Sequence, residues 1–157
     1  NDNIVLVTAL GQAIRFKETQ VRAMGRAAAG VRGIRLKKED YIVGMDVVDQ
    51  VLSKVGQILI ITQKGFGKRS NLNSYKIQSR GGSGIKTAKV TEKTGQVVSM
   101  TVVNSKAIEE DMIIISSKGQ VIRLALKSVN VLGRATQGVR LMRFKEPNDK
   151  VASVTFI

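Results

Sequence analysis

The residues of this chain with the types and spacing to do chemistry are basic. Arg15, Arg69 and Arg123 recur at intervals of 54, and so do Arg26, Arg80 and Arg134. The middle arginine of the second set sits in Gln78-Ser79-Arg80-Gly81-Gly82-Ser83-Gly84, where glycines free the backbone to turn N–H groups onto an anion. They also remove side chains that would hold a phosphate away, while Arg80 adds charge and Ser83 a hydroxyl donor. The plainer reading of the same stretch is a surface turn. What this chemistry offers is anion binding, not bond making. With no histidine and no cysteine, the chain lacks the commonest general base, any thiolate nucleophile, any disulfide and the usual zinc ligands.

Charge points the same way. Lys and Arg number 26 against 12 Asp and Glu, giving +14 and a pI near 10.5, more than solubility needs and suited to a polyanion, nucleic acid first. Residues 55–108 hold most of the excess: Glu92 is their single acid, against Lys64, Lys68, Arg69, Lys76, Arg80, Lys86, Lys89, Lys93 and Lys106. Lys64, Lys68, Arg69, Arg80, Lys86 and Lys89, with Gly81 and Gly82, are the candidate phosphate contacts of this middle stretch. Arg15, Arg26, Arg123, Arg134 and Arg140 stand beside them. The two recurring arginine sets admit a second role, each arginine bracing a turn within its own unit.

Other chemistries fit poorly. Gly84-Ile85-Lys86-Thr87 breaks the Gly-Lys-[Ser/Thr] run of a phosphate-binding loop, and the dinucleotide fingerprint lacks its last glycine and its helix, so no nucleotide or other cofactor is expected. Glu109-Glu110-Asp111 reads as a solvated turn, not a metal cluster, and Tyr41 and Tyr75 read as packing residues, so no catalytic residue is expected. A carboxylate hydrolase would need an acid pair that residues 55–108 do not have. A protein-interaction platform would display aromatic residues, which make up only 4% of the chain and include no Trp. No apolar run of 18 residues exists and Asn1-Asp2-Asn3-Ile4 is unlike a signal peptide, so the sequence predicts a cytoplasmic protein without a membrane partner.

The elements that must carry these residues come from the period. At offsets of 54 and 108, Gly11 aligns with Gly65 and Gly119, Gly30 with Gly84 and Gly138, and the apolar run Ile4–Val7 with Ile58–Ile61 and Met112–Ile115. The repeats are therefore 1–54, 55–108 and 109–157. In the middle copy, Ile58–Thr62, Gly67–Asn71, Ile85–Val90 and Gln96–Val103 read as strands, the first two joined by a hairpin with Gly65 at positive φ. The third stretch alternates apolar and basic residues in Val31–Leu36 and again in Val139–Phe144. Glu18–Ala29 reads as a long loop, and Asp49–Gln57 and Asn104–Asp111 as crossings between units. The expected fold is all-β, with propeller-like blades of four-stranded antiparallel sheets, each too small to be stable unless stacked.

Three motifs carry a family resemblance: Gly65-Phe66-Gly67-Lys68-Arg69, Tyr75 to Lys86 through the glycine stretch, and Met24-Gly25-Arg26-Ala27-Ala28-Ala29-Gly30-Val31-Arg32-Gly33-Ile34. With Gly133-Arg134-Ala135-Thr136-Gln137-Gly138-Val139-Arg140-Leu141 they span nearly the whole chain. The sequence resembles the C-terminal domain of the gyrase A protein, which is part of a type IIA topoisomerase, and its motif order is similar to the last three of the six blades such domains have. The related topoisomerase IV domain is the alternative. The resemblance implies a β-pinwheel whose adjacent blades exchange a strand. It also implies DNA bent around a basic rim, in support of ATP-dependent negative supercoiling by a parent enzyme with further gyrase A and gyrase B parts. The cleaving tyrosine would lie in a different domain. Residues 78–84 resemble the family's wrapping box, with Ser79 and Ser83 where basic residues stand in the box.

Overall fold

The computed structural model describes all 157 residues. Each repeat opens with a hairpin: β1 (Asn3–Thr8) with β2 (Gln12–Lys17), β4 (Gly56–Thr62) with β5 (Phe66–Asn71), and β8 (Asp111–Ser116) with β9 (Val121–Ala125). The hairpin glycines Gly11, Gly65 and Gly119 have φ of +86°, +83° and +86°, a conformation that costs other residues roughly 1–2 kcal/mol. A long strand closes each repeat on the other side of the first: β3 (Ile42–Val48), β7 (Val97–Asn104) and β11 (Val151–Phe156).

The fourth strand of the first and second sheets comes from the next repeat. Short β6 (Ile85–Lys86) pairs with β2, and short β10 (Val139–Arg140) pairs with β5, giving the orders β3-β1-β2-β6 and β10-β5-β4-β7. The third sheet is β11-β8-β9 and has three strands. These exchanged strands are shorter than Ile85–Val90 would suggest, because both the Thr87 and Ala88 N–H groups turn onto Gly11 O, as those of Leu141 and Met142 do onto Gly65 O. Val31–Leu36 forms no strand; it is held instead against the glycine stretch of repeat two, with Gly33 O accepting the Gly81 N–H and Arg35 N donating to Gly82 O. Between repeats one and two the chain makes a single helical turn, α1 (Leu52–Val55), with Asp49 Oδ1 accepting the Leu52 N–H at 2.8 Å.

Apolar residues lie mainly between blades. Val5, Val7, Ala13 and Val48 of the first pack on Ile58, Ile60, Val97 and Met100 of the second. Leu59, Ile61 and Val103 on its other face pack on Met112, Ile114 and Val151 of the third. With about 1.5–3 kcal/mol for each fully buried Ile or Leu, the joints hold much of what keeps a blade folded.

Candidate nucleic-acid interface

The exchanged strands decide where the basic residues go. At the first joint the glycine stretch of repeat two lies along residues 32–35 of repeat one: Arg80 Nη1 donates to Arg32 O (2.7 Å), Gly81 N to Gly33 O (2.8 Å) and Arg35 N to Gly82 O (2.8 Å). The second joint repeats the pattern 54 residues on, with Arg134 Nη1 donating to Lys86 O (2.6 Å) and Lys89 N to Thr136 O (3.1 Å). Each joint thus assembles three bases from two repeats, Arg80 with Arg32 and Arg35, then Arg134 with Lys86 and Lys89. Arg140 and Arg143 hold the corresponding positions of repeat three, both exposed, and Arg140 stacks 4.8 Å from the Phe66 ring centroid. Equal positions on successive copies lie along the same edge, so the bases form a ladder. Arg32, Arg35 and Arg143 belong to it although they are not among the candidates named from sequence; their 54-residue echo of Lys86 and Lys89 is the signal that finds them.

Three candidates are withdrawn from solvent. Arg15 donates to Leu72 O (3.3 Å), Tyr75 O (3.4 Å) and Ser53 Oγ (2.7 Å), and Arg69 to Val129 O (2.9 Å), Gln57 Oε1 (2.9 Å) and Lys127 O (3.1 Å). Both are buried, and burial lowers both guanidinium pKa values. The braced turn belongs to the following repeat, not to the arginine's own, which corrects the expectation of an internal brace. Lys68, 1% exposed, donates to Gly133 O, Arg134 O and Thr136 Oγ1 at 2.7–3.1 Å. Burial, with the Arg134 charge adding to it, pushes its ammonium down to about 8. These three side chains lock joints and have no phosphate-facing surface. Arg123, at the same position as Arg15 and Arg69, is 63% exposed and pairs with Asp111 Oδ2 at 2.7 Å.

The glycine stretch is also less free than its sequence suggests. Arg80 N donates to Gln20 Oε1 (2.7 Å) and Gly81 N to Gly33 O, so these amides are committed within the protein and do not converge on an anion. A Cβ on Gly84 would stand 2.4 Å from Ala13 O, so that glycine serves the close approach of repeat two to β2. Exposed Lys64 donates to Glu92 O, Lys86 and Lys89 face solvent, and Arg26 is exposed with no side-chain partner. Tyr75 is buried with its hydroxyl on Thr87 Oγ1 (2.5 Å), whereas Tyr41 is half-exposed. No three carboxylates gather as a metal site would require, and no helix is long and apolar enough to cross a membrane.

Repeat-encoded blades joined by strand exchange and carrying a basic edge define a propeller-type binding domain. The profile of the family described as the DNA gyrase C-terminal domain, beta-propeller, matches residues 2–49, 56–104 and 110–157. The DNA gyrase A protein of Staphylococcus epidermidis is 43% identical over 143 residues, 91% of this chain and 16% of that protein. Its Staphylococcus aureus counterpart is 43% identical over 142 residues, 90% of this chain and 16% of that protein. Among solved structures, a DNA gyrase A C-terminal domain superposes with a TM-score of 0.84 at 25% identity, covering 99% of this chain and 50% of the other. A topoisomerase IV C-terminal domain gives 0.87 at 25%, covering 99% and 46%. The chain belongs to the DNA gyrase C-terminal domain family, and it spans about a sixth of the length of the curated relatives it matches.

Proposed function

We propose that this chain binds duplex DNA without reading its sequence and curves it across the basic ladder of successive blades. One observation carries the reading. Of 26 Lys and Arg residues, Arg123 alone forms a salt bridge to a carboxylate, so the surface charge stays unneutralised and open to phosphate. The contacts are Arg80, Lys86, Lys89, Arg134 and Arg140 with Arg32 and Arg35, while Lys64 and Arg26 extend the path. Many modest phosphate contacts release counterions, and their sum offsets the elastic cost of bending. The units 1–54, 55–108 and 109–157 act as three blades in this scheme. In a parent gyrase, with the rest of the gyrase A protein and with gyrase B in the cytoplasm, the bound segment would be presented for strand passage and support negative supercoiling. Cleavage and any cofactor would belong to other parts of that enzyme. The 43% identity to gyrase A proteins favours gyrase over topoisomerase IV.

Gel-shift titration with duplexes of several lengths at two salt concentrations tests this. Affinity should grow with duplex length, ignore sequence and fall steeply with salt. Replacing Lys86 and Lys89 by Ala should lower the slope of log K against log salt by about 2, close to 0.9 for each phosphate left unneutralised. An absence of binding at low salt, or a slope unmoved by that double change, would refute it.

A further inference from the structure

Both internal joints dock a turn of one repeat onto the repeat before it, but they hold that turn with different chemistry. At the first joint Gln20 secures the turn at residues 79–82: its Oε1 accepts the Arg80 N–H at 2.7 Å and its backbone oxygen accepts Arg80 Nε at 2.9 Å. Apolar Ile14 lies beneath, its Cδ1 3.8 Å from where a Cβ on Gly82 would stand. At the second joint, 54 residues on, Ser74 replaces Gln20 and its short side chain bonds Asn71 O, while Lys68 replaces Ile14. The buried Lys68 ammonium then holds the turn at residues 133–136, donating to Gly133 O (2.9 Å), Arg134 O (2.7 Å) and Thr136 Oγ1 (3.1 Å). Ser70 Oγ, two residues further along β5, donates to Leu132 O (2.9 Å).

Ile14 and Ile122 fill the position of Lys68 in the flanking repeats, so the fold itself does not require a charge there, and burying one is costly. What the ammonium adds is control of one residue. Gly133 O and Arg134 O are the carbonyls on either side of the Arg134 Cα, so bonds to both fix the backbone at Arg134 and the direction in which its guanidinium leaves the turn, towards Lys86 O at 2.6 Å. A neutral amine has two N–H groups for three acceptors, and the Thr136 hydroxyl already donates to Gly133 O (2.6 Å). Loss of the proton therefore frees part of the turn.

We propose that Lys68 is a positioning residue for phosphate binding, whose ammonium aims Arg134 at DNA and is in turn favoured by a phosphate resting on Arg134. This role rests on the DNA contact proposed for Arg134 and adds to it a coupling between a buried group and the surface. The groups around Lys68 are bases and one phenol. Arg134 lies in the turn itself, exposed Lys86 and Lys89 line the segment on which the turn docks, and Tyr75, with its hydroxyl on Thr87, is held by burial above its ordinary 10 and stays neutral. No carboxylate pairs with Lys68. Burial and then the Arg134 charge bring Lys68 down to about 8, and a phosphate that neutralises Arg134 removes the second cause. The DNA-bound chain thus keeps its proton to higher pH than the free chain. Affinity is full below about 8 and falls as pH rises through it, and by reciprocity DNA binding takes up a proton in that interval.

DNA titrations of the 157-residue chain and of Lys68→Met, at one ionic strength from about pH 6.5 to about pH 9.5, test this role. The parent's affinity should fall about three- to tenfold more than the variant's across that range. The Asn1 amino group, held above its ordinary 8.0 by Glu18, is common to both proteins, so the difference between them is what is read. Near about pH 7 the variant should bind more weakly than the parent with the same dependence on salt, because Lys68 itself meets no phosphate. If Lys68→Met does not fold, calorimetry on the unaltered chain in two buffers of different ionisation heat decides: DNA binding should take up protons near about pH 8.5 and none near about pH 6. Parallel pH profiles, no proton uptake near about pH 8.5, or a salt slope lower by about 0.9 in Lys68→Met would overturn the role of Lys68 and leave DNA binding standing. A chain that binds no DNA at low salt overturns both.

Discussion

Replacing Arg69 by Ala separates bracing from DNA contact. The guanidinium makes three hydrogen bonds, to Val129 O, Gln57 Oε1 and Lys127 O, two of which are buried. A hydrogen bond to a charged group contributes about 1.5–3 kcal/mol, but water entering the vacated space restores part of the loss, so the net cost should be about 3 kcal/mol. For a chain of this size that is a fall in Tm of about 6–12 °C, against a total stability of roughly 5–15 kcal/mol, so the variant remains folded at about 25 °C. Lys89→Ala provides the contrast, because Lys89 is exposed and its side chain bonds nothing within the protein. Its stability should move by no more than about 0.5 kcal/mol. Thermal unfolding followed by circular dichroism, paired with DNA titration across salt, reads both variants. Arg69→Ala should lose stability and, while folded, keep its salt slope; Lys89→Ala should do the reverse. An Arg69→Ala protein with unchanged Tm and a salt slope lower by about 0.9 would mean that the arginine meets phosphate, and the bracing argument would fail.

Lys68 titrates at about 8 when folded and 10.5 when unfolded, so between those values the unfolded chain binds more protons and stability should rise with pH. Urea midpoints measured across that interval should show the rise in the parent and not in Lys68→Met. Burial pushes the Asp149 carboxyl up, but hydrogen bonds from Ser116 Oγ and the Lys150 and Lys118 N–H groups outweigh it and hold it below its ordinary 3.8. Its stabilisation is present above 3.8 and lost as pH falls through the folded value, so Asp149→Asn should flatten the acid limb of stability against pH. Gly84→Ala should destabilise by about 2–4 kcal/mol in thermal unfolding, combining the positive-φ penalty with the approach to the Ala13 carbonyl, a backbone atom that cannot yield.

Hairpins and period were legible because both are local: a turn glycine, a β-branched run and a fixed offset are written in adjacent residues. The fate of the third stretch was not. Val31–Leu36 and Val139–Phe144 alternate alike, yet only the latter begins as a strand, since its acceptor β5 lies one repeat away. Lys68 misled for a related reason. Nothing in Gly67-Lys68-Arg69 reveals that the loop at Gly133–Thr136 will close over it and supply three acceptors. Arginines at one repeat position likewise differ in role with the carbonyls that a neighbouring repeat brings to them: Arg15 and Arg69 are buried against such carbonyls and Arg123 pairs with Asp111 in solvent.

Strand exchange also sets a timetable for a nascent chain. The first sheet cannot be completed when its own repeat leaves the ribosome, because Lys86 must pair with Gln12. That partner arrives about 70 residues later, a wait of roughly 4–14 s at about 5–20 residues per second. During it, the outer edge of β2 stands bare, and edges of that kind recruit strands from other chains. Arg15, on β2, keeps a positive charge at that edge, which makes a poor template for an apolar intruder until the Leu72–Ser74 turn emerges to bury and satisfy it.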